Sequence, residues 1–247
     1  MTDTGCSLTR KIKVLPSMCD GGSRLSVAAA LDMFQDTATM HADLFDIGPA
    51  GMERRRSFWI ITKTRINISR MPKMMDEVSV STWIQAAERV SCERDFSIND
   101  GGETLAYGRS IWAVISRESG RLSHLDTMYP NIDFDIAPPD DRPFLKIGRK
   151  FDDADVIGEY TVRSVDIDLG GHMNNVNYVR AMLGCFTSEQ LTEMQIREIE
   201  VNYISQTFEG ENLIFKCRHT ASGLEIGAVD KDGKAHFTAA ISTDAKL

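Results

Sequence analysis

The apolar positions of this chain fall into two rhythms, and those rhythms follow each other in the same order in both halves. After Ser26, the residues Val27, Ala30, Leu31, Phe34, Ala38 and His41 recur at three- and four-residue spacing, the mark of a helix with one buried face. Ser26 stands just ahead of that run, where its hydroxyl can accept from a first-turn N–H and cap the helix. A second run at the same spacing starts at about Asn175 and uses Val176, Val179, Met182, Leu183 and Phe186. After the first helix, "SFWIITKTRINIS", "EVSVSTWIQA", "VSCERDFSI" and "TLAYGRSIWAVIS" alternate apolar with polar residues and are rich in Ile, Val, Trp and Phe. That pattern predicts strands. Hairpin connections dominate, which points to antiparallel pairing rather than a doubly wound parallel sheet.

The two halves also match block by block. "CDGGSRLSVAAAL" (Cys19–Leu31) lies over "IDLGGHMNNVNYV" (Ile167–Val179) at an offset of 148, which pairs Asp20 with Asp168 and Gly22 with Gly170. "RINISRMPKMMDEVSV" lies over "EVNYISQTFEGENLIF" at 135, and "SINDGGETLA" over "AVDKDGKAHF" at 131. Three blocks in one order argue for a duplicated unit. Each unit reads as strand, helix, then several strands. The expected fold class is therefore α+β: two tandem hotdog domains, each a curved antiparallel sheet wrapped around a long central helix. The expected boundaries are 8–124 for the N-terminal domain, 125–156 for a linker holding Pro130, Pro138, Pro139 and Pro143, and 157–247 for the C-terminal domain.

Charge and composition narrow the function classes. A net charge of −8 argues against sequence-independent nucleic-acid binding. No apolar run approaches the roughly 20 residues that span a bilayer. The five cysteines show no CxxC pair, which fits reduced thiols better than a disulfide frame or a zinc site. His124, His219 and His236 are scattered without metal-ligand spacing. With no apolar signal segment at the N-terminus, the expectation is a soluble cytoplasmic protein that binds neither membrane nor nucleic acid.

The candidate chemistry lies in "DIDLGGHMNNVNY", on the turn into the second helix. Asp168, Asn174 and the glycines are what a capped helix and a tight turn need, but a cap does not call for His172. The stretch resembles a D-x-N-x-H-x-N-N motif. In the first half, "RRRSFWIITKTRINISRMP" and "ERDFSINDGGETLAYGRSIWAVISRESGRLSHL" carry an Arg-Asp strand, a Gly-Glu hairpin, a Ser-x-Trp strand and a basic ending. Together these features resemble the acyl-acyl-carrier-protein thioesterases, the plant plastid enzymes and their bacterial relatives, over nearly the whole chain. Those proteins are tandem hotdogs.

The resemblance implies hydrolysis of fatty acyl-ACP thioesters to free fatty acid and holo-ACP, ending chain elongation, with no metal or redox cofactor. It implies an N-terminal unit that holds the acyl tail, with Ala30 and Phe34 on the pocket-forming helix, and a C-terminal unit that cuts. Asp168 would act as base or nucleophile and His172 would hold or protonate a reacting group. Asn174 or Asn175 would fix the turn or the water, while Gly170 and Gly171 let substrate approach closely. Two positions depart from the family pattern: Gly170 replaces the motif's Asn, and Gln206 stands where the plant enzymes carry a Glu. Gln206 can position water but cannot take its proton; Glu209 is the fallback carboxylate. The basic run Arg54, Arg55 and Arg56 is the candidate docking patch for an acidic acyl carrier protein. An acyl-CoA thioesterase and a non-catalytic acyl-binding hotdog protein are the alternatives, and monomer and homodimer are both open.

Overall fold

The computed structural model describes residues 2–3, 5–126, 128–130 and 136–244. Part of the expected linker, residues 127 and 131–135, lies outside the described residues. The chain divides into two compact units, Met1–Arg142 and Pro143–Leu247.

In the first unit, strands β1 (Thr2–Asp3) and β2 (Ser7–Lys13) precede helix α1 (Val27–Asp43) and the short α2 (Pro49–Arg54). Strands β3 (Ser57–Ile68), β4 (Glu77–Ile84), β5 (Ser91–Asp100) and β6 (Glu103–Ser116) follow. Antiparallel pairing gives the order β1-β2-β4-β5-β6-β3. Helix α1 starts where its cap predicts, with the Ser26 hydroxyl oxygen accepting from the Ala29 N–H at 3.1 Å. Its buried face includes Ala30, Leu31, Phe34, Ala38 and His41, with Ala28 buried in place of half-buried Val27. Close packing of α1 on the sheet depends on Gly108 in β6, where a Cβ would stand 2.6 Å from the Phe34 ring. Phe34 stacks on Phe96 of β5, ring centroids 4.7 Å apart.

The second unit repeats the plan. Strand β7 (Asp155–Thr161) leads to helix α3 (Asn175–Leu183), then α4 (Ser188–Met194), and strands β8 (Ile196–Tyr203), β9 (Asn212–Thr220), β10 (Gly223–Val229) and β11 (Ala235–Thr243). Their antiparallel order is β7-β9-β10-β11-β8, the order of β2-β4-β5-β6-β3 in the first unit. Both units have the hotdog arrangement. The central helices differ in length: α1 has 17 residues and α3 has nine. Gly184 caps α3, and Thr187 opens α4 with a capping box to Gln190, so the second stretch of helix is a separate element. Leu183 and Phe186, expected on the buried face, are half-buried at that break. Tyr178 is buried instead and stacks on Phe237 at 5.5 Å.

The backbone repeats in detail at the offsets seen in the sequence. Asp20 N–H donates to the Arg24 carbonyl as Asp168 N–H does to that of His172. Leu25 N–H donates to the Pro72 carbonyl as Met173 N–H does to that of Thr207. Ser23 takes the left-handed conformation that Gly171 takes in the second unit, φ +57° against +80°. Among the described residues no helix is long and apolar enough to cross a membrane.

Candidate active site

The turn from Ile167 to Asn174 is strapped at both ends. Asp166 is buried, and its carboxylate accepts from the Arg163 N–H at 2.8 Å and the Tyr160 hydroxyl at 2.8 Å. Its carbonyl accepts from the Asn174 N–H at 2.9 Å. Ile167 bridges to Met173, and inside that bridge the Asp168 N–H reaches the His172 carbonyl at 3.0 Å. The chain must therefore reverse within a few residues, and Gly171 supplies the positive φ for it.

This reversal brings Asp168 and His172 together. Asp168 Oδ1 accepts from the Gly170 N–H at 2.7 Å, which fixes the carboxylate, and Oδ2 stands 3.6 Å from His172 Nδ1. Their side chains are 28% and 15% exposed, so both are open to solvent. Gly170 is central to that approach. A Cβ there would lie 2.7 Å from His172 Nε2 and 2.9 Å from Asp168 Oδ1. The imidazole thus occupies the space that an Asn at this position would fill.

The remaining expected residues are distributed around the pair. Asn174 caps α3, its Oδ1 accepting from the Val176 N–H at 2.8 Å, and Asn175 is the first helical residue. Gln206 is exposed on the segment between β8 and β9, and among the described residues no hydrogen bond joins it to Asp168 or His172. Its neighbour Thr207 makes the connection instead, through the Met173 N–H at 2.9 Å. Glu209, the fallback, is exposed.

In the first unit the matching turn holds Asp20 with its Oδ1 on the Gly22 N–H at 2.9 Å, but Arg24 donates to the Met71 carbonyl at 2.9 Å and no histidine is present. Ala30 and Phe34 are fully packed in the core. In the basic run, Arg54 pairs with Asp46. Arg55 Nη1 binds Asp46 Oδ2 at 3.1 Å and the carbonyls of Asp46 and Gly51. Arg56 is exposed beside Arg117, whose N–H donates to the Arg56 carbonyl at 2.8 Å.

Sequence reasoning gave no role in the site to four residues that join the Gln206 segment to α3 and β11: Tyr178, Thr207, His236 and Asp230. His236 is 30 positions from Gln206. Only the β8–β11 register, which pairs Tyr203 with Phe237, brings it alongside. The third repeat block, which ends at Phe237, is the one sequence signal that pointed to that strand.

Comparison with known proteins gives two family matches. The model of the acyl-ACP thioesterase N-terminal domain matches residues 5–130, and that of the C-terminal domain matches 149–244. A chloroplastic acyl-acyl-carrier-protein hydrolase of Cuphea viscosissima is 28% identical over 192 residues, covering 72% of this chain and 46% of its own. The chain spans about half the length of the curated relatives it matches. Among solved structures, a 12:0-ACP thioesterase from Umbellularia californica superposes with a TM-score of 0.82 at 20% identity, covering 98% of each chain. An acyl-ACP thioesterase from Bacteroides thetaiotaomicron gives 0.80 at 20% identity, over 99% of this chain and 100% of that one. At such identity the structural likeness is one of fold.

Proposed function

The chain belongs to the acyl-ACP thioesterase family, and from that premise we propose that it hydrolyses fatty acyl-ACP thioesters to free fatty acid and holo-ACP, terminating chain elongation. The observation that carries the reading is the Asp168–His172 pair, closed over Gly170 on a partly exposed turn. Asp168 is fixed through Oδ1 by the Gly170 N–H, which leaves Oδ2 to take a proton from water. The water oxygen attacks the thioester carbonyl carbon, and the carbonyl π pair moves onto oxygen. The tetrahedral intermediate then collapses and expels the thiolate. His172 delivers the proton that the sulfur receives, and Asp168 returns the one it took to the imidazole. In this reading Asn174 holds the turn by capping α3, with Asn175 beside it. Gly170 and Gly171 leave room for the substrate, and Gln206 orients the water. The first unit holds the acyl tail against α1, with Ala30 and Phe34 packed behind that wall in the core.

The carrier partner is an acyl carrier protein docked at Arg54, Arg55 and Arg56. The proposed location is the cytoplasm: the five cysteines are all free thiols, as a reducing compartment keeps them.

Gln206 favours one second reading. It is exposed and unbonded to the pair, and a Gln cannot act as base, as in a non-catalytic acyl-binding protein. The experiment is thiol release from C8 to C18 acyl-ACPs, run beside matching acyl-CoAs and an Asp168→Ala variant. Turnover on acyl-ACP that falls about a thousandfold or more in the variant is the expected result. Turnover that survives moves the chemistry off this turn. Preference for acyl-CoA replaces the carrier, and acyl binding without thiol release favours the second reading.

A further inference from the structure

Tyr178, Thr207, His236 and Asp230 form one chain of side-chain hydrogen bonds that the proposed chemistry leaves unused. The Tyr178 hydroxyl donates to Thr207 Oγ1 at 2.8 Å, and Thr207 Oγ1 lies 2.9 Å from His236 Nδ1. His236 Nε2 lies 3.3 Å from Asp230 Oδ2. Tyr178, Thr207 and His236 are all buried. Desolvation works to raise the Asp230 pKa, but the Lys234 N–H, His236 and the Asp232 N–H outweigh it and hold the carboxyl below its usual range. An ionised carboxylate only accepts, so His236 Nε2 is the donor to Asp230.

This chain grips the segment that carries Gln206. The His236 carbonyl accepts from the N–H groups of Ile204 at 2.8 Å and Ser205 at 3.1 Å. The Gln206 carbonyl stands 3.2 Å from His236 Nδ1. Thr207 then offers its carbonyl to the Met173 N–H, one residue from His172. We propose that His236 is a positioning residue: by locking Thr207 it sets Met173 and the adjacent His172, and it orients Gln206. The proposal rests on reading the Asp168–His172 turn as the reacting site.

Two substitutions separate the faces of the ring. In His236→Asn the amide stays at the Nδ1 position, towards Thr207, and the Asp230 contact is lost. In His236→Gln it reaches towards Asp230 and leaves Thr207 unlocked. His236→Asn is expected to keep kcat within about threefold of the parent. His236→Gln is expected to lower it by roughly tenfold to a hundredfold with KM for acyl-ACP unchanged, as misplacement without lost substrate contact does. Amide hydrogen exchange at Met173 needs no turnover. It is expected to accelerate in His236→Gln, while the β10 amides keep their protection. Thr207→Val, near equal in volume, carries the same expectation should His236→Gln not fold.

Parent-like kcat and Met173 protection in His236→Gln and Thr207→Val would overturn the proposal. So would equal losses in Asn and Gln variants with a common fall in Tm. If the parent releases no thiol, the reading of the reacting turn has failed, and Met173 exchange alone decides the positioning role.

Discussion

Gly170 is the residue at which this chain departs most visibly from the motif it resembles, and the geometry gives the departure a physical meaning. With no Cβ in the way, the imidazole of His172 lies over residue 170 with Nδ1 turned to Asp168. Any side chain there must push the ring out or pull the carboxylate off the Gly170 N–H. Gly170→Ala is therefore expected to lower kcat on acyl-ACP by about tenfold or more while Tm moves by no more than a few degrees, since the turn is exposed. Thiol release and a thermal melt check the two halves of that statement. Parent-like kcat would mean that the close approach of ring to carboxylate is incidental. The Asp168–His172 pair was legible in the sequence because its members are four positions apart on a turn that the glycines announce. Gln206 was legible as a candidate, but not its exposed placement. His236 was not legible, because its partners reach it through sheet register.

At the scale of elements, the starts of α1 and α3 and the strands that follow α1 were written in the periodicity, with Ser26 and Asn174 as side-chain caps; α2 and α4 were not read. The break between α3 and α4 was harder to read, since apolar spacing continues through Leu183 and Phe186 past the glycine that ends the helix. Strand β5 was read as a simple alternation, yet both its faces are covered, and Arg94 and Asp95 are buried next to each other. Burial pushes the Asp95 carboxyl up to about 6, against the hydrogen bond from Gln85 at 2.7 Å and the Arg109 guanidinium. The folded state then holds a proton that the unfolded chain releases near pH 4, so this group's contribution is complete below about pH 4 and is lost as pH rises through 6. A shift of this size is worth about 1–3 kcal/mol. Asp95→Asn is expected to flatten the fall in stability between pH 4.5 and 7.5, as followed by urea unfolding. A parent-like slope would remove Asp95 as its source.

At the scale of the molecule, two units share one backbone plan and differ in what they place on it: a histidine in the second, an arginine tied to a backbone carbonyl in the first. The family fold was therefore legible from the repeat, and one position in it is where the two units part. The chain's own net charge of −8 would repel an acidic carrier protein, so encounter must depend on a local patch. Around α2 the guanidiniums of Arg54, Arg55, Arg56 and Arg117 face only the carboxylates of Asp46 and Glu53 as ion-pair partners among the described residues. Arg55 is occupied in holding the backbone of Asp46 and Gly51, whereas Arg56 is exposed and Arg54 is held only through the exposed side chain of Asp46, which makes these two the residues a partner can meet without disturbing α2. Reversing both, as Arg54→Glu with Arg56→Glu, is expected to raise KM for acyl-ACP about tenfold at low ionic strength with kcat unchanged. The effect should shrink in 0.5 M salt, where charges more than a few ångströms apart are screened. An uncharged acyl-pantetheine thioester should show no change in KM. A rise in KM for that substrate as well would place the damage in the fold of α2 rather than in carrier docking, and no rise for either would move the docking surface elsewhere.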